Sequence, residues 1–206
     1  MQNYIKTYID KTYSYKEYRK LIDDLLSEGK TTGKSQTEKN IAYTKLNIQR
    51  MNRLDKTVTV IPELMTLIGS FDRKCIWLMI AEAWCGDCAQ IIPVLDKIAD
   101  ASDHIELKIV LRDENPELMD RYLTNGGRAI PKLICIDSDT MHEICTWGPR
   151  PKPAQEMITN HKAHPVKEYS EVQKDIQLWY ANDKGETLQK EIMELINTME
   201  YVPGIS

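Results

Sequence analysis

The segment AEAWCGDCAQIIP (residues 81–93) decides the fold of this 206-residue chain, because it joins two different kinds of sequence pattern. The continuous apolar run CIWLMIAEA (residues 75–83) leads into it, as is typical of a strand buried on both faces. The stretch CAQIIPVLDKIADA (residues 88–101) follows and predicts a helix. Cys85 and Cys88 therefore lie where a predicted strand passes into a predicted helix.

The composition is ordinary for a globular protein, with 42% hydrophobic residues, 28% charged residues and a formal net charge of -4. Both signs of charge are interspersed, which argues against a general binder of nucleic acid or anionic membranes. No apolar run reaches the roughly 18 residues of a membrane helix, and the N-terminus lacks the basic-then-apolar layout of a signal peptide. We therefore expect a cytoplasmic protein without nucleic-acid or membrane partners.

The number and spacing of the cysteines limit the roles of Cys85 and Cys88. The chain has five cysteines, an odd count at irregular spacings, so a framework of structural disulfides is not expected. Three interpretations of the pair remain: a redox centre, a purely structural pair, or half of a zinc site that needs two further ligands. His161 and His164 have a ligand-like spacing, but no supporting pattern surrounds them. The cysteines expected to be buried as small hydrophobic groups in strands are Cys75, Cys135 and Cys145.

Helices are predicted on both sides of the central part. Ser14 and Glu17 form a candidate capping box at the start of a helix that ends near Gly29. A second helix is predicted from residue 37 to about 55, and a shorter one opens at Pro62. The tail has two helical patterns, whose apolar members are Val172, Ile176 and Trp179 in one and Leu188, Ile192, Leu195, Ile196 and Met199 in the other.

The central part continues with strands at residues 105–113, 131–137 and 142–148, and with helices at residues 115–127 and about 154–161. The strands at residues 75–83 and 105–113 are joined through a helix, so we expect them to be parallel with a right-handed connection. The last two are separated by only a short turn, so we expect an antiparallel hairpin.

Several ordered features resemble the thioredoxin superfamily. WCGDC (residues 84–88) is similar to its active-site signature, and Pro93 stands where its members carry a proline in the following helix. DENP (residues 113–116) and GGRAIPKLICI (residues 126–136) resemble later parts of the family core, and Gly148 resembles a glycine near the substrate groove. The resemblance implies an α/β, thioredoxin-like fold: a mixed central sheet flanked by helices, with extra N- and C-terminal helices.

The resemblance also implies a division of the chain and a site. The parts are an N-terminal helical extension (residues 1–70), a thioredoxin-like core (residues 71–162) and a C-terminal helical extension (residues 163–206). Cys85 becomes the nucleophile, whose thiolate the helix N-terminus favours, and Cys88 becomes the resolving thiol. The residues implied to shape the site are Trp84, Gly86, Asp87, Ile130 and Pro131, with a cis bond before the proline.

The activity that this resemblance implies is that of a thiol-disulfide oxidoreductase. It needs no metal or other cofactor, because the cysteine pair is itself the redox centre. The implied partners are a disulfide-containing protein or a low-molecular-weight thiol, and a reductase that donates electrons.

Two departures from the family pattern concern proton transfer and charge. The buried aspartate that thioredoxins carry six residues before the first cysteine is Met79 here, and its lysine partner maps to Ile109. Glu82, three residues before Cys85, is a candidate to replace this acid in proton transfer. Asp87 replaces a proline, and we expect its carboxylate to stabilise the helix start and to oppose ionisation of Cys85.

A second hypothesis is a catalytically weak thioredoxin-fold module that binds or scaffolds a partner. The missing buried charge pair and the helical extensions favour it over an efficient reductase.

Overall fold

The centre of the molecule is a mixed four-stranded sheet, seen in a computed structural model that describes residues 3–200. The strands are β1 (Cys75–Ala81), β2 (Ile105–Leu111), β3 (Lys132–Asp137) and β4 (Glu143–Trp147), in the spatial order β2-β1-β3-β4. β1 is parallel to β2 and antiparallel to β3, and β3 is antiparallel to β4. The predicted parallel pair and the predicted antiparallel hairpin are therefore confirmed. The ends of the predicted extensions, residues 1–2 and 201–206, lie outside the described residues.

Helices surround the sheet, and those described between residues 3 and 200 are α1 (Asn3–Ile9), α2 (Tyr15–Ser27), α3 (Glu38–Thr57), α4 (Pro62–Ser70), α5 (Gly86–Asp100), α6 (Pro116–Met119), α7 (Lys152–Ala163), α8 (Tyr169–Asp183) and α9 (Glu186–Glu200). The predicted capping box of α2 is confirmed, since Ser14 and Glu17 bind each other's backbone N–H groups. α1 was not predicted, because its seven residues are too few for a periodic pattern to stand out. None of the helices in this part of the chain is both long and apolar enough to cross a bilayer.

The core joins the extensions to the sheet. All seven residues of β1 are buried, so both faces of this strand are covered, as the continuous apolar run predicted. Tyr18 of α2, Trp77 of β1 and Ile192 of α9 belong to one cluster of buried apolar side chains. The terminal helices therefore pack on the sheet rather than standing apart from it.

The helix predicted over residues 115–127 is wrong in length, because α6 ends after four residues. The chain then reverses at Asn125 and Gly126, which have φ angles of 51° and 76°. Thr124 and Gly127 flank them and exchange both of their backbone hydrogen bonds. An Asn-Gly dipeptide favours such a two-residue reversal, and this signal outweighs the helical pattern before it.

The outer edge of β2 pairs with the segment that leads into α2. Tyr13 forms an isolated antiparallel bridge with Ile109, and each backbone N–H donates to the other residue's carbonyl oxygen at 2.8 Å. This bridge positions the N-terminal segment against the sheet just before the capping box begins.

Candidate active site

Cys85 and Cys88 lie at the start of α5, at the junction that the sequence predicted. Cys85 is the N-cap of the helix, with extended backbone angles, and Gly86 is the first helical residue. Cys85 is 8% exposed, whereas Cys88, one helical turn later, is 1% exposed. The more accessible thiol therefore stands where the backbone N–H groups of the helix end are unpaired and the helix dipole is positive.

The two cysteines stand one helical turn apart. Burial raises the pKa of Cys88 well above its ordinary value, and the neighbouring Cys85 thiol adds to the rise. The Cys85 thiol also lies 3.4 Å from the carbonyl oxygen of Ile130, and the peptide bond between Ile130 and Pro131 is cis. The structure thus brings together both cysteines and the Ile-Pro segment.

Gly148 occupies a tight place behind this segment. Its φ is +112°, and a Cβ at this position would stand 2.6 Å from the carbonyl oxygen of Pro131. The end of β4 therefore approaches the Pro131 loop more closely than any residue with a side chain permits.

Trp84 is half-buried beside the cysteines and carries a cation on its face. The guanidinium of Arg112 lies 4.8 Å from the centre of the indole ring, within range of a cation–π contact. Arg112 is held there by an ion pair with Asp113 at 2.8 Å. Trp84, which is implied to shape the site, thus has a positive charge on one face of its ring.

Asp87 is buried and paired, which the sequence did not indicate. Its carboxylate forms an ion pair with Arg150 at 2.7 Å and accepts a hydrogen bond from the Tyr180 hydroxyl at 3.1 Å. Burial raises the pKa of Asp87, and Arg150 opposes that rise. The carboxylate of Asp87 therefore has a counter-ion beside it, and its expected effect on Cys85 stays a prediction.

The Glu82 carboxylate is hydrogen-bonded to groups other than the cysteines. It is fully buried, but its carboxylate accepts one hydrogen bond from the Thr32 hydroxyl and another, at 2.9 Å, from the backbone N–H of Asp113. Burial raises the pKa of Glu82 to about 7. Both carboxylate oxygens thus accept hydrogen bonds from other groups, and a role of Glu82 in proton transfer to the cysteines stays a prediction.

The positions of the missing charge pair are filled by apolar packing. Met79 and Ile109 are register partners across β1 and β2, and both are fully buried. An unpaired charge at either position would be costly, so the two apolar residues replace the family's pair consistently.

The alternative of a zinc site finds no cluster of ligands. Within residues 3–200, no group of three or more His, Cys, Asp or Glu side chains is arranged to hold a metal ion. His161 instead lies against the ring of Tyr169, with the ring centres 5.8 Å apart.

A cleft of about 630 Å³ opens above Cys85. One side is formed by α3 and the other by the first half of α8, with Trp84 and Ile130 below. Asn47, fully buried on α3, donates a hydrogen bond to the carbonyl oxygen of Ala83 at 2.7 Å and accepts one from Arg50 at 2.8 Å. This residue ties α3 to the loop before Cys85 and orients Arg50.

Sequence reasoning missed the charged lining of this cleft. Arg50 and Arg150 both interact electrostatically with Cys85, yet they lie on segments far from it along the chain. The helical pattern of α3 predicted its existence but not that its polar residues Thr44 and Asn47 would be buried next to the site.

Comparison with known proteins identifies the family. A family model described as Thioredoxin matches residues 33–164, which is more than half of the chain. The chain belongs to this thioredoxin family. The match begins in the loop before α3, so the helix that carries Asn47 and Arg50 falls within it.

Curated thioredoxins match a shorter region. The chain is 42% identical to Thioredoxin 1 of Synechococcus elongatus over 52 residues, which cover 25% of this chain and 46% of that protein. It is 36% identical to the thioredoxin of Alicyclobacillus acidocaldarius over 62 residues, covering 59% of that protein. The chain thus spans about half the length of the curated relatives it matches.

Solved structures resemble the chain over most of its length. An HIV epitope scaffold aligns with a TM-score of 0.56 and 16% identity over 92% of this chain and 99% of that one. A Pseudomonas aeruginosa protein of unknown function aligns with a TM-score of 0.50 and 17% identity over 87% of this chain. At these identities the likeness concerns the fold alone, including terminal helices outside the family match.

Proposed function

We propose that this thioredoxin-family protein is a thiol-disulfide oxidoreductase that reduces disulfides through Cys85 and Cys88. One observation carries the proposal: the Cys85 thiol stands at a helix N-terminus and lines a cleft, with the buried Cys88 one helical turn behind it. A nucleophilic cysteine is typically found in partly accessible, electropositive surroundings, and this position has a helix N-terminus, nearby guanidinium groups and a cleft.

Neighbouring charges support the nucleophilic role of Cys85. Arg50 and Arg150 are both close enough to interact with its charge. Asp87, whose charge opposes a thiolate, is compensated by Arg150 at 2.7 Å. The surroundings of Cys85 are therefore more positively charged than the sequence alone suggested.

The proposed reaction has two exchange steps. The Cys85 thiolate attacks one sulfur of the substrate disulfide, the S–S bond breaks, and one substrate thiolate leaves and takes a proton from solvent. Cys88 then loses its proton and attacks Cys85, which forms the protein disulfide and releases the second substrate thiol. Two electrons pass from the dithiol to the substrate, and an external reductase or a low-molecular-weight thiol returns them.

The second step is the slower one in this proposal. The pKa of Cys88 is raised by burial, Met79 and Ile109 offer no proton acceptor, and the Glu82 carboxylate is bound elsewhere. The proton of Cys88 must therefore leave through water or the departing thiolate.

Reduction of insulin and of 2-hydroxyethyl disulfide tests the proposal. We expect no activity above background for Cys85→Ser, and for Cys88→Ser we expect one attack followed by a mixed disulfide that mass spectrometry detects. Cys145→Ser is the control and is expected to retain activity. Wild-type protein no more active than Cys85→Ser would reject the proposal.

A weak binding or scaffolding module remains the second candidate. The observation that favours it is the apolar pair of Met79 and Ile109, which removes the family's proton acceptor below the cysteines. Under both candidates we propose a cytoplasmic location, where dithiols stay reduced.

A further inference from the structure

The cleft above Cys85 has a marked excess of positive charge. Among its lining side chains the acidic one is Asp87, which Arg150 already neutralises. The basic side chains that line it are Lys39, Arg50, Arg112, Arg128, Arg150 and Lys174.

Three of these six cations have no carboxylate partner. Arg112, Arg128 and Arg150 each form an ion pair within the protein. The cations without an ion pair to any described residue are Lys39, Arg50 and Lys174. An excess of unpaired cations in a cleft concentrates anions there and directs them to it.

Arg50 is the most informative of these cations, because it is half-buried. Its one hydrogen bond to a side chain goes to the neutral Asn47, so most of its donors remain available. Burial lowers the pKa of Arg50, and the carboxylate that opposes this shift is Asp87, which already forms an ion pair with Arg150. An anion bound at this guanidinium would relieve the cost of that burial.

Arg50 lies next to Gly86, the residue that follows the reacting cysteine. One of its terminal nitrogens is 3.1 Å from the point where a Cβ on Gly86 would stand, and the amide nitrogen of Gln177 is 3.0 Å from that same point. Because Gly86 has no side chain, the space between the side chains of Arg50 and Gln177 stays open. An anionic group held here would lie within a few bonds of a substrate sulfur at Cys85.

The size of the cleft favours a small molecule. Its volume of about 630 Å³ falls within the range of roughly 300–1,000 Å³ that is typical of small-ligand sites. Side chains of α3 and α8, including Tyr43 and Gln177, border it on opposite sides. A disulfide on a folded protein has to bring its surrounding chain between these two helices, whereas a small disulfide enters alone.

We infer that the preferred substrates are low-molecular-weight disulfides that carry a carboxylate or phosphate within a few bonds of the sulfur atoms. This inference rests on the proposed reductase function and specifies its substrate class. Arg50 binds the anionic group, and Lys39 and Lys174 attract it into the cleft. The electrons and protons move as in the two exchange steps above, so each substrate disulfide yields two thiols.

Three disulfides of similar length but different charge test the inference. They are 3,3′-dithiodipropionate, which is a dianion, 2-hydroxyethyl disulfide, which is neutral, and cystamine, which is a dication. Single-turnover rates with the reduced protein are divided by the rates of free dithiothreitol with the same probe, which removes differences in intrinsic reactivity. We expect the normalised rate to be highest for the dianion and lowest for the dication.

The decisive variant is Arg50→Gln, and Lys190→Gln is the matched control. Lys190 lies on α9, outside the cleft, and its substitution removes the same charge. We expect Arg50→Gln to lower the dianion-to-neutral ratio about tenfold, as for one charge-assisted contact, and Lys190→Gln to leave it unchanged. The ratio cancels any effect of Arg50 on the reactivity of the sulfur itself.

The outcomes separate the inference from the proposed function. Equal normalised rates for the dianion and the neutral probe, or an unchanged ratio in Arg50→Gln, would overturn the inference and leave the reductase function standing. Faster normalised reduction of insulin than of the dianion would also overturn it. Failure to reduce any of the probes would reject the proposed function itself.

Discussion

The protein contains two pairs of neighbouring thiols that are alike in themselves and different in their surroundings. Cys85 and Cys88 meet at the start of α5, whereas Cys135 and Cys145 face each other across β3 and β4. In each pair one thiol is buried and has a pKa raised by burial, and the other lies nearer the surface.

The surroundings of the two outer thiols explain why only the first pair is proposed to exchange disulfides. Cys85 has a helix N-terminus, two nearby guanidinium groups and a cleft. Cys145 has a hydrogen bond from Cys135, which lowers its pKa, and two opposite charges, Glu143 and Arg73. In this proposal, two adjacent thiols are not sufficient for a redox site, which also needs excess positive charge and room for a substrate.

Substitution of Arg150 tests the charged surroundings of the helix pair and has the largest expected effect. Arg150→Ala leaves the carboxylate of Asp87 buried without its counter-ion, which should lower the free energy of unfolding by about 3 to 5 kcal/mol at pH 8. Urea denaturation measures the loss.

The matched control is Arg128→Ala, which also removes an arginine from the cleft lining. The side chains of Arg128 and Asp120 are 52% and 49% exposed, against 16% and 10% for Arg150 and Asp87. The control should therefore lose no more than about 1 kcal/mol. Equal losses would mean that the buried ion pair does not hold the site together.

The second prediction concerns pH and the buried carboxylate beside the helix pair. The folded-state pKa of Glu82 is about 7 and its ordinary value is 4.5, so ionisation disfavours folding. The stability that protonated Glu82 contributes is fully present below about pH 4.5 and is lost as the pH rises through 7. Relative to Glu82→Gln, the wild type should lose about 2 to 3 kcal/mol between pH 5 and pH 8 in urea denaturation.

Glu143→Gln, near the sheet pair, is the control for this pH dependence. Glu143 is exposed, so its substitution should change the free energy of unfolding by less than about 0.5 kcal/mol at either pH. A difference between wild type and Glu82→Gln that does not vary with pH would contradict the prediction.

Charged alkylating reagents compare the two outer thiols directly. The ratio of the rate with iodoacetate to the rate with neutral iodoacetamide should be about fivefold higher at Cys85 than at Cys145, because two guanidinium groups act on Cys85, whereas Glu143 opposes the single one near Cys145. Peptide mass spectrometry measures both sites in one sample. Added salt should reduce the difference, and similar ratios at both cysteines in low salt would remove the proposed electrostatic distinction.

Removal of the outer sheet thiol has the smallest expected effect. Cys145 is half-buried on β4, so Cys145→Ala should lower the free energy of unfolding by no more than about 1 kcal/mol and leave disulfide reduction unchanged. A loss of activity comparable to that of Cys85→Ser would show that the sheet pair takes part in electron transfer, and the comparison would fail.

Local patterns were sufficient to predict much of the fold. The apolar run of β1, the capping box at Ser14 and the junction at Cys85 are each encoded in a few consecutive residues, and each was found where predicted. The helix predicted over residues 115–127 is too long for a local reason too, since the Asn-Gly pair within it favours a chain reversal over a helix.

The surroundings of the site depend on contacts between distant segments. The pairing of Asp87 with Arg150 and the turn of Glu82 toward Thr32 each join residues at least 50 positions apart. Arg50 reaches the site because the buried Asn47 holds α3 against the loop before Cys85. No spacing in the sequence indicates such contacts, because they arise only when helices pack on the sheet.

The bridge at the outer edge of β2 has a consequence for how copies of this protein meet. An uncovered strand edge offers a row of backbone donors and acceptors to which another chain adds, and this is a common route to aggregation. Tyr13 takes both backbone hydrogen bonds of Ile109, near the middle of that edge, and so interrupts the row. A chain shortened to begin at Ser14 would regain an open edge and should polymerise more readily than the intact protein.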